Sequence, residues 1–120
     1  MAKKILIVDD EPDILRAAKI RLISFGYEVI TAGDGRSAID LIQKEAPDLI
    51  LLDLRLPQMS GDEICAQLKY DEKFKHIPII IFTASSDANT SKNIKRCGAD
   101  GYLIKPFAPE ELLQTIKKFI

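Results

Sequence analysis

Three aspartates of this 120-residue chain lie at the ends of short apolar runs, where a carboxylate could do chemistry. Asp9 and Asp10 follow Ile-Leu-Ile-Val, and Asp53 follows Leu-Ile-Leu-Leu. If these runs are neighbouring strands, the carboxylates converge, and two unit charges 4 Å apart repel by roughly 4 kcal/mol at an effective dielectric of 20. A divalent cation, a proton or a fixed ammonium must offset that repulsion. Hard oxygen ligands without a nearby histidine or cysteine favour Mg²⁺ over Zn²⁺.

Two further residues, Thr83 after Ile-Ile-Ile-Phe and Lys105 after Gly-Tyr-Leu-Ile, complete a set of groups suited to phosphoryl chemistry. A carboxylate can accept a phosphoryl group as an acyl phosphate, in a transfer that depends mainly on positioning and charge neutralisation. Lys105 and Mg²⁺ could each neutralise one phosphoryl oxygen, and the Thr83 hydroxyl could hydrogen-bond a third. Ala84 would leave room for a group on Asp53. A cis peptide bond between Lys105 and Pro106 could turn the lysine inward.

Each of these residues also has an ordinary structural explanation. An aspartate at a strand end is often a turn former or a helix cap. Lys105 alone could be a solvated side chain, and Thr83 alone is an ordinary residue at the end of a strand. The functional interpretation depends on the combination of three carboxylates, an ammonium and a hydroxyl at converging strand ends.

Short apolar runs alternate with amphipathic segments, and this alternation must position the candidate residues. The predicted strands cover residues 4–9, 27–31, 48–53, 78–83 and 101–104. Three of the runs are continuously apolar, which is typical of strands covered on both faces in a parallel sheet. Five strands alternating with five helices predict a doubly wound α/β sheet of the flavodoxin-like order 2-1-3-4-5. Sites in such sheets form beyond the carboxyl ends of the strands.

Helix start and stop signals lie between the predicted strands. Pro12 opens the first helix and Gly26 follows it. Residues 60–63, Ser-Gly-Asp-Glu, are similar to a capping box and predict the start of the third helix. Pro109 opens the last helix after Ala108, a poor N-cap that weakens this helix start by roughly 1 kcal/mol relative to Asp or Ser.

Composition indicates one ordinary globular domain covering residues 1–120, with 47% hydrophobic and 29% charged residues. The net charge of -1, with both signs mixed along the chain, gives no basic field that would attract nucleic acid or a membrane surface. No apolar run approaches the ~20 residues of a membrane span, and the start does not read as a secretory signal. Cys65 and Cys97 lack the spacing of a zinc site, so we expect two free thiols and a cytoplasmic protein.

In order along the chain, four motifs carry a resemblance that covers its whole length. They are Ile-Leu-Ile-Val-Asp-Asp-Glu-Pro at 5–12, Asp-Leu-Ile-Leu-Leu-Asp-Leu-Arg-Leu-Pro at 48–57 with Met59 and Gly61, Thr-Ala at 83–84, and Gly-Ala-Asp-Gly-Tyr-Leu-Ile-Lys-Pro-Phe at 98–107. Each motif alone is modest, but the ordered set is highly specific. The chain resembles the receiver domain of two-component response regulators.

That resemblance implies that Asp53 receives a phosphoryl group from a phosphohistidine on a sensor histidine kinase or a phosphotransfer protein. Asp10, Asp53 and the backbone carbonyl of Arg55 would ligate Mg²⁺, and Asp9 would act through water. Lys105, with a cis bond to Pro106, would pair with a phosphoryl oxygen. The domain would catalyse only its own phosphorylation and its slow autodephosphorylation.

The resemblance also implies a conformational switch and a partner that reads it. Thr83 would move toward the phosphoryl group, and Tyr102 would swing inward. Arg55 and Ser85 depart from the common pattern at positions that tune phosphoryl lifetime in the family, so we expect them to affect rate. The chain ends at Ile120, one helix after Lys105. A single-domain regulator, a receiver cut from a longer regulator and a phosphorylation-dependent dimer all remain open.

The predicted fourth helix, residues 87–97, is poor in strong helix formers, and its apolar residues are Ala88, Ile94 and Cys97. We expect this helix to pack loosely and to shift when Asp53 is phosphorylated. An ordinary surface helix would give the same pattern.

Two other functions fit the same fold class. A phosphatase of the haloacid dehalogenase type has a second aspartate two residues after its nucleophile, but Arg55 occupies that position here and is a poor proton donor. A flavodoxin-like cofactor carrier needs a first loop rich in Ser, Thr and Gly, whereas residues 9–13 are mainly acidic. His76 lies in a predicted loop and is interpreted as a surface residue instead of a phosphohistidine.

Overall fold

The computed structural model describes residues 2–84 and 88–120, which form five strands and five helices in strict alternation. The strands are β1 (Lys4–Val8), β2 (Glu28–Ala32), β3 (Leu49–Asp53), β4 (Ile79–Thr83) and β5 (Gly101–Ile104). The helices are α1 (Pro12–Ser24), α2 (Gly35–Glu45), α3 (Gly61–Tyr70), α4 (Ala88–Cys97) and α5 (Pro109–Lys117). The predicted α/β alternation is confirmed.

The five strands form one parallel sheet in the order β2-β1-β3-β4-β5, as predicted. In the register, Val8 at the end of β1 lies opposite Leu52, and Asp53 at the end of β3 lies opposite Phe82. The carboxyl ends of β1, β3 and β4 therefore meet at one edge of the sheet.

Four predicted strands begin or end one residue away from the observed positions, for local reasons. The side chain of Asp48 accepts a hydrogen bond from the backbone N–H of Lys4 at 2.7 Å, so this residue leads into β3 without belonging to it. Pro78 has no N–H to donate, and β4 begins at the next residue. After β1 ends, Asp9 and Asp10 begin the loop to α1.

Two apolar layers cover the sheet. One packs α2, α3 and α4 against Leu6, Ile50, Ile79 and neighbours that point to the same face. The other packs α1 and α5 against Ile5, Leu49, Ile80 and their same-face neighbours. Successive strand residues thus alternate between two cores, which explains why the central runs are apolar at every position. Buried on both faces, the three central strands β1, β3 and β4 hold their carboxyl ends in fixed positions.

The start of α3 differs from its prediction. Ser60 is the N-cap, but among the described residues its side chain makes no capping hydrogen bond. Instead, the next residue, Gly61, donates its N–H to the carbonyl of Leu54 at 2.7 Å. A Cβ at position 61 would lie 2.9 Å from the Cα of Leu54, so the close approach of this helix to the end of β3 requires glycine. Contact between the two backbones has replaced the predicted capping box.

The start of α5 is better satisfied than Ala108 alone predicts. The side chain of Glu111, in the first turn, accepts a hydrogen bond from the backbone N–H of Ala108 at 3.1 Å. This is one half of a capping box, and it needs no side chain at the N-cap position.

Helix α4 buries few side chains. Of those that the structure describes in it, Thr90, Ile94 and Cys97 are buried. The predicted first residue, Asp87, lies outside the described residues. Within residues 2–84 and 88–120, no helix is long and apolar enough to cross a membrane.

Candidate phosphoryl-acceptor site

Asp9 is fully buried where β1 ends, and both of its carboxylate oxygens are engaged. Oδ1 accepts a hydrogen bond from the backbone N–H of Glu11 at 2.9 Å, and Oδ2 accepts one from Nζ of Lys105 at 2.9 Å. Its own N–H donates to the carbonyl of Ala32 at 3.1 Å, which continues the β1–β2 pairing. A buried carboxylate with this set of donors is well compensated.

Asp53 is the last residue of β3, is 5% exposed, and has weaker partners. Its Oδ1 accepts a long hydrogen bond of 3.3 Å from the backbone N–H of Arg55. Its Oδ2 lies 3.6 Å from Nζ of Lys105, which is an ion pair beyond good hydrogen-bond distance. Lys105 is therefore paired mainly with Asp9 in this structure.

Lys105 follows β5, and three features besides its ion pairs position it. Its N–H donates to the carbonyl of Thr83 at 2.8 Å, which ties the loop after β5 to the end of β4. The bond to Pro106 is cis, as predicted. Its Nζ lies 4.6 Å from the centroid of the Phe82 ring, so the ammonium also rests on an aromatic face.

The three acidic side chains converge as predicted. One carboxylate oxygen from each of Asp9, Asp10 and Asp53 lies within 4.8 Å of the others, and Asp10 is the exposed member. Burial raises the pKa of Asp53 to about 6; Lys105 and the Arg55 N–H oppose this change, and the charges of Asp9 and Asp10 add to it. The pocket therefore holds more negative charge than one lysine compensates, a property of sites that take a divalent cation.

The remaining candidates differ in how far they are buried. Thr83 ends β4 and is buried, with Ala84 exposed after it. Tyr102 lies within β5, opposite Ile81, and is 58% exposed, so its side chain is outside the acidic pocket. Arg55 is exposed at the mouth of the pocket. Ser85 lies outside the described residues.

Comparison with known proteins identifies the family. The model of the response regulator receiver domain matches residues 5–117. This chain belongs to that family. Among curated relatives, the probable transcriptional regulator ycf27 of Cyanophora paradoxa is 42% identical over 118 residues, which cover 98% of this chain and 48% of the relative. The receiver domain thus spans about half the length of that relative.

Solved structures agree with the family and with the fold. The chemotaxis protein CheY4 of Vibrio cholerae is 36% identical, with a TM-score of 0.94 and complete coverage of both chains. The receiver domain of the sensor histidine kinase PA1611 of Pseudomonas aeruginosa is 30% identical, with a TM-score of 0.92, covering 99% of this chain and 98% of that one. Its structure is described as having a magnesium ion coordinated in the active site cleft.

The receiver assignment removes the two other functions considered for the fold. Neither a phosphatase nor a flavodoxin-like carrier is supported by the family match or by these neighbours. His76 is exposed in the loop that precedes β4, at the amino end of the strands, and so lies at the opposite edge of the sheet from Asp53.

Sequence reasoning missed two groups that shape the receiver's pocket. The backbone N–H of Glu11 holds Asp9, and the Phe82 ring supports Lys105. The N–H carries no sequence signal because every residue except proline has one. Phe82 has the weak signal of being the aromatic residue just before Thr83, but in sequence it reads only as the apolar end of a strand.

Proposed function

We propose that Asp53 of this receiver domain accepts a phosphoryl group from a phosphohistidine on a partner protein, in a magnesium-dependent step that switches the domain's conformation. The observation that supports this most is the unequal pairing of the two buried aspartates. Asp53 is buried with a raised pKa and long contacts, while Lys105 is held at 2.9 Å by Asp9 and can be redirected.

The residues at the pocket fit Mg²⁺. The donors are carboxylate oxygens, and the exposed Asp10 leaves one side open for waters and phosphoryl oxygens. We assign direct ligation to Asp10, Asp53 and the backbone carbonyl of Arg55, and a role through water to Asp9, whose two oxygens already have partners. When bound, Mg²⁺ neutralises charge on the carboxylates and on the incoming phosphoryl group.

In the transfer, a carboxylate oxygen of Asp53 attacks phosphorus, a P–O bond forms, and the N–P bond to the donor histidine breaks. The electron pair stays on the departing imidazole. Lys105 then pairs with a phosphoryl oxygen, a movement shortened by its existing 3.6 Å contact with Asp53. The Thr83 hydroxyl moves to a second oxygen and Tyr102 moves inward, which carries the change to the surface.

An apolar groove beside the pocket suits the phosphohistidine donor. It has a volume of about 560 Å³, lies between α1 and the loop that leads into α5, and includes Lys105 in its wall. Its apolar lining includes Ile14, Ala17, Ala18, Pro106, Phe107 and Leu112. We assign this groove to a helix of the donor, because a helix docked there would bring its histidine to the mouth beside Lys105.

The wider role follows from this switch. We propose a single receiver domain over residues 1–120, with a protein target or an output domain as its reader, and Arg55 and Ser85 as determinants of phosphoryl lifetime. Catalysis is limited to its own phosphorylation and dephosphorylation. We place the protein in the cytoplasm, in keeping with two free thiols.

The direct test is intact mass spectrometry after incubation with Mg²⁺ and acetyl phosphate. We expect the mass of one phosphoryl group, lost in Asp53→Asn and absent with a chelator. Asp40→Asn, at an exposed position on α2, is the matched control and should still be modified. An unmodified mass, or a phosphoryl group mapped to a serine, a threonine or His76, would contradict the proposal.

A further inference from the structure

The interface between α3 and α4 contains both cysteines of the chain, which the phosphoryl site does not use. Cys65 is fully buried on α3, and Cys97, the last residue of α4, is 6% exposed. The Cys65 thiol donates to the carbonyl of Cys97 at 3.5 Å, and the Cys97 thiol donates to the carbonyl of Ile94 at 3.1 Å. The Cys65 sulfur therefore lies directly against the backbone of Cys97.

We propose that Cys65 and Cys97 form a reversible intramolecular disulfide when a hydroperoxide reaches them, and that this bond fastens α4 to α3. The oxidation of the two cysteines does not require phosphorylation of Asp53. Its regulatory consequence rests on the proposed function, together with the expectation from the sequence that α4 shifts when Asp53 is phosphorylated.

The geometry gives the two sulfurs a short path to each other. They come from neighbouring helices that pack together, and the chain separates them by 32 residues. A disulfide needs a sulfur–sulfur distance of about 2.05 Å, so the Cys65 sulfur, already 3.5 Å from the carbonyl oxygen of Cys97, has to turn from that oxygen toward the neighbouring sulfur. The last turn of α4 can supply this movement, because it ends at Gly98, an exposed residue with φ of +86°.

The two thiols are also chemically unequal. Once Cys97 is ionised, the Cys65 S–H can turn from the carbonyl to the thiolate, and this interaction lowers the pKa of Cys97. The same interaction, together with burial, raises the pKa of Cys65. Cys97 is also the more exposed of the two. It is therefore the thiol that reacts first, and Cys65 is the thiol that closes the bond.

The reaction balances with one hydroperoxide. The Cys97 thiolate attacks an oxygen of ROOH, the O–O bond breaks, and RO⁻ takes a proton to give ROH and a sulfenic acid on Cys97. The sulfur of Cys65 then attacks the sulfur of Cys97 and loses its proton, and the sulfenic hydroxyl leaves with that proton as water. Two thiols and ROOH become one disulfide, ROH and water, a two-electron oxidation.

The surroundings keep the backbone near the cysteines in place. Nζ of Lys69, one turn after Cys65 on α3, pairs with Asp100 at 2.7 Å and donates to the carbonyl of Ile77 at 3.0 Å. Asp100 in turn accepts from the N–H of Ile79 at 2.8 Å. These bonds tie the end of α3 to the turn between α4 and β5, so the sulfurs can approach while the two helices stay adjacent.

The test is to treat reduced wild-type protein with hydrogen peroxide and follow intact mass and thiol labelling under denaturing conditions. We expect the loss of two hydrogen atoms, the loss of both labelled thiols, a Cys65–Cys97 cross-linked peptide, and full reversal by dithiothreitol. In Cys65→Ser, Cys97 should instead be trapped as a sulfenic acid by dimedone. Unchanged mass, a disulfide-linked dimer, or oxidation to sulfinic acid without a cross-link would each overturn the proposal.

The same samples separate this inference from the proposed function. Acetyl phosphate is added to the reduced protein, and amide exchange of α4 is compared between the reduced and oxidised forms. We expect α4 exchange to slow at least tenfold on oxidation, and an equal rate would overturn the fastening of α4. A reduced protein that forms the disulfide but never accepts a phosphoryl group would contradict the proposed function alone.

Discussion

Two buried aspartates lie at the carboxyl ends of neighbouring strands of the same sheet, yet their surroundings differ. Asp9 has a hydrogen bond from the N–H of Glu11 and another from Lys105, both at 2.9 Å. Asp53 has one at 3.3 Å from the N–H of Arg55 and lies 3.6 Å from Lys105. Burial without close donors leaves the negative charge on Asp53 poorly compensated. The comparison indicates that Asp9 anchors the pocket and that Asp53 is the carboxylate ready to take a new partner.

The largest expected effect comes from removing the shared lysine. Lys105→Met leaves the buried carboxylate of Asp9 without its cation, which should lower the free energy of unfolding by about 3 kcal/mol. Urea denaturation measures the loss, and Asp9→Asn in the same chain should recover most of it. The control is Lys4→Met, which removes a weaker ion pair of 3.8 Å with Glu45. A loss no larger than that of the control would mean that Asp9 does not depend on Lys105.

Neutralising Asp53 and neutralising Asp9 should change the free energy of unfolding in opposite directions. At pH 7 without metal, Asp53→Asn should raise the free energy of unfolding by on the order of 3 kcal/mol. The reason is that the pKa of Asp53 is about 6 in the folded protein and ordinarily 3.8, so ionising this carboxyl destabilises the fold. Asp9→Asn should lower it by about 2 kcal/mol, since charge-assisted hydrogen bonds are lost. Urea denaturation of both variants checks this. If both variants changed the free energy of unfolding in the same direction, the proposed difference between Asp9 and Asp53 would be wrong.

Magnesium should offset the poorly compensated charge of Asp53 and so stabilise the folded protein. At a concentration 100 times the dissociation constant, Mg²⁺ should stabilise the wild type by about 2.7 kcal/mol. Asp10→Asn and Asp53→Asn should gain much less, because each loses a carboxylate ligand. Thermal unfolding in MgCl₂, against NaCl of matched ionic strength, measures the gain. Equal gains in all three proteins would indicate that the ion binds elsewhere.

The smallest change, taken over a single pH unit, is the one that the titration of Asp53 contributes to stability. Its folded pKa of about 6 lies above the ordinary 3.8, so between these values the folded state binds more protons than the unfolded state. The stability contributed by protonated Asp53 is present below pH 3.8 and is lost as the pH rises through 6, by at most about 1.4 kcal/mol per pH unit. Subtracting the metal-free stability profile of Asp53→Asn from that of the wild type isolates this slope. A difference that is flat across the window would contradict the raised pKa.

The fold and the convergence of the acidic residues could be predicted because both follow from repeating patterns. Continuous apolar runs predicted a parallel sheet, and the strand order brought the ends of β1 and β3 together, with Asp9, Asp10 and Asp53 at one edge. Lys105 was predicted at the site because it follows the fifth run. These inferences needed only periodicity and the rule for where sites form.

The unpredicted features depend on distances that no pattern encodes. Sequence alone could not show that Lys105 lies closer to Asp9 than to Asp53, a difference of less than 1 Å. The capping signal at Ser60 was misleading because the backbone of Gly61 bonds to Leu54 instead. The first depends on how elements distant in sequence pack together, and the second on the backbone path of a tight loop.

The glycine that begins α3 has a consequence for sequence variation. A Cβ at position 61 would lie 2.9 Å from the carbonyl carbon of Asp53 and equally close to the Cα of Leu54, so backbone atoms would have to move to admit any side chain. Those atoms belong to Asp53, the proposed phosphoryl acceptor, and its neighbour. Position 61 should therefore reject alanine as strongly as it rejects larger residues, although it carries no functional group. We expect position 61 to tolerate substitution as poorly as the acidic residues do, because of limited space and not because of charge.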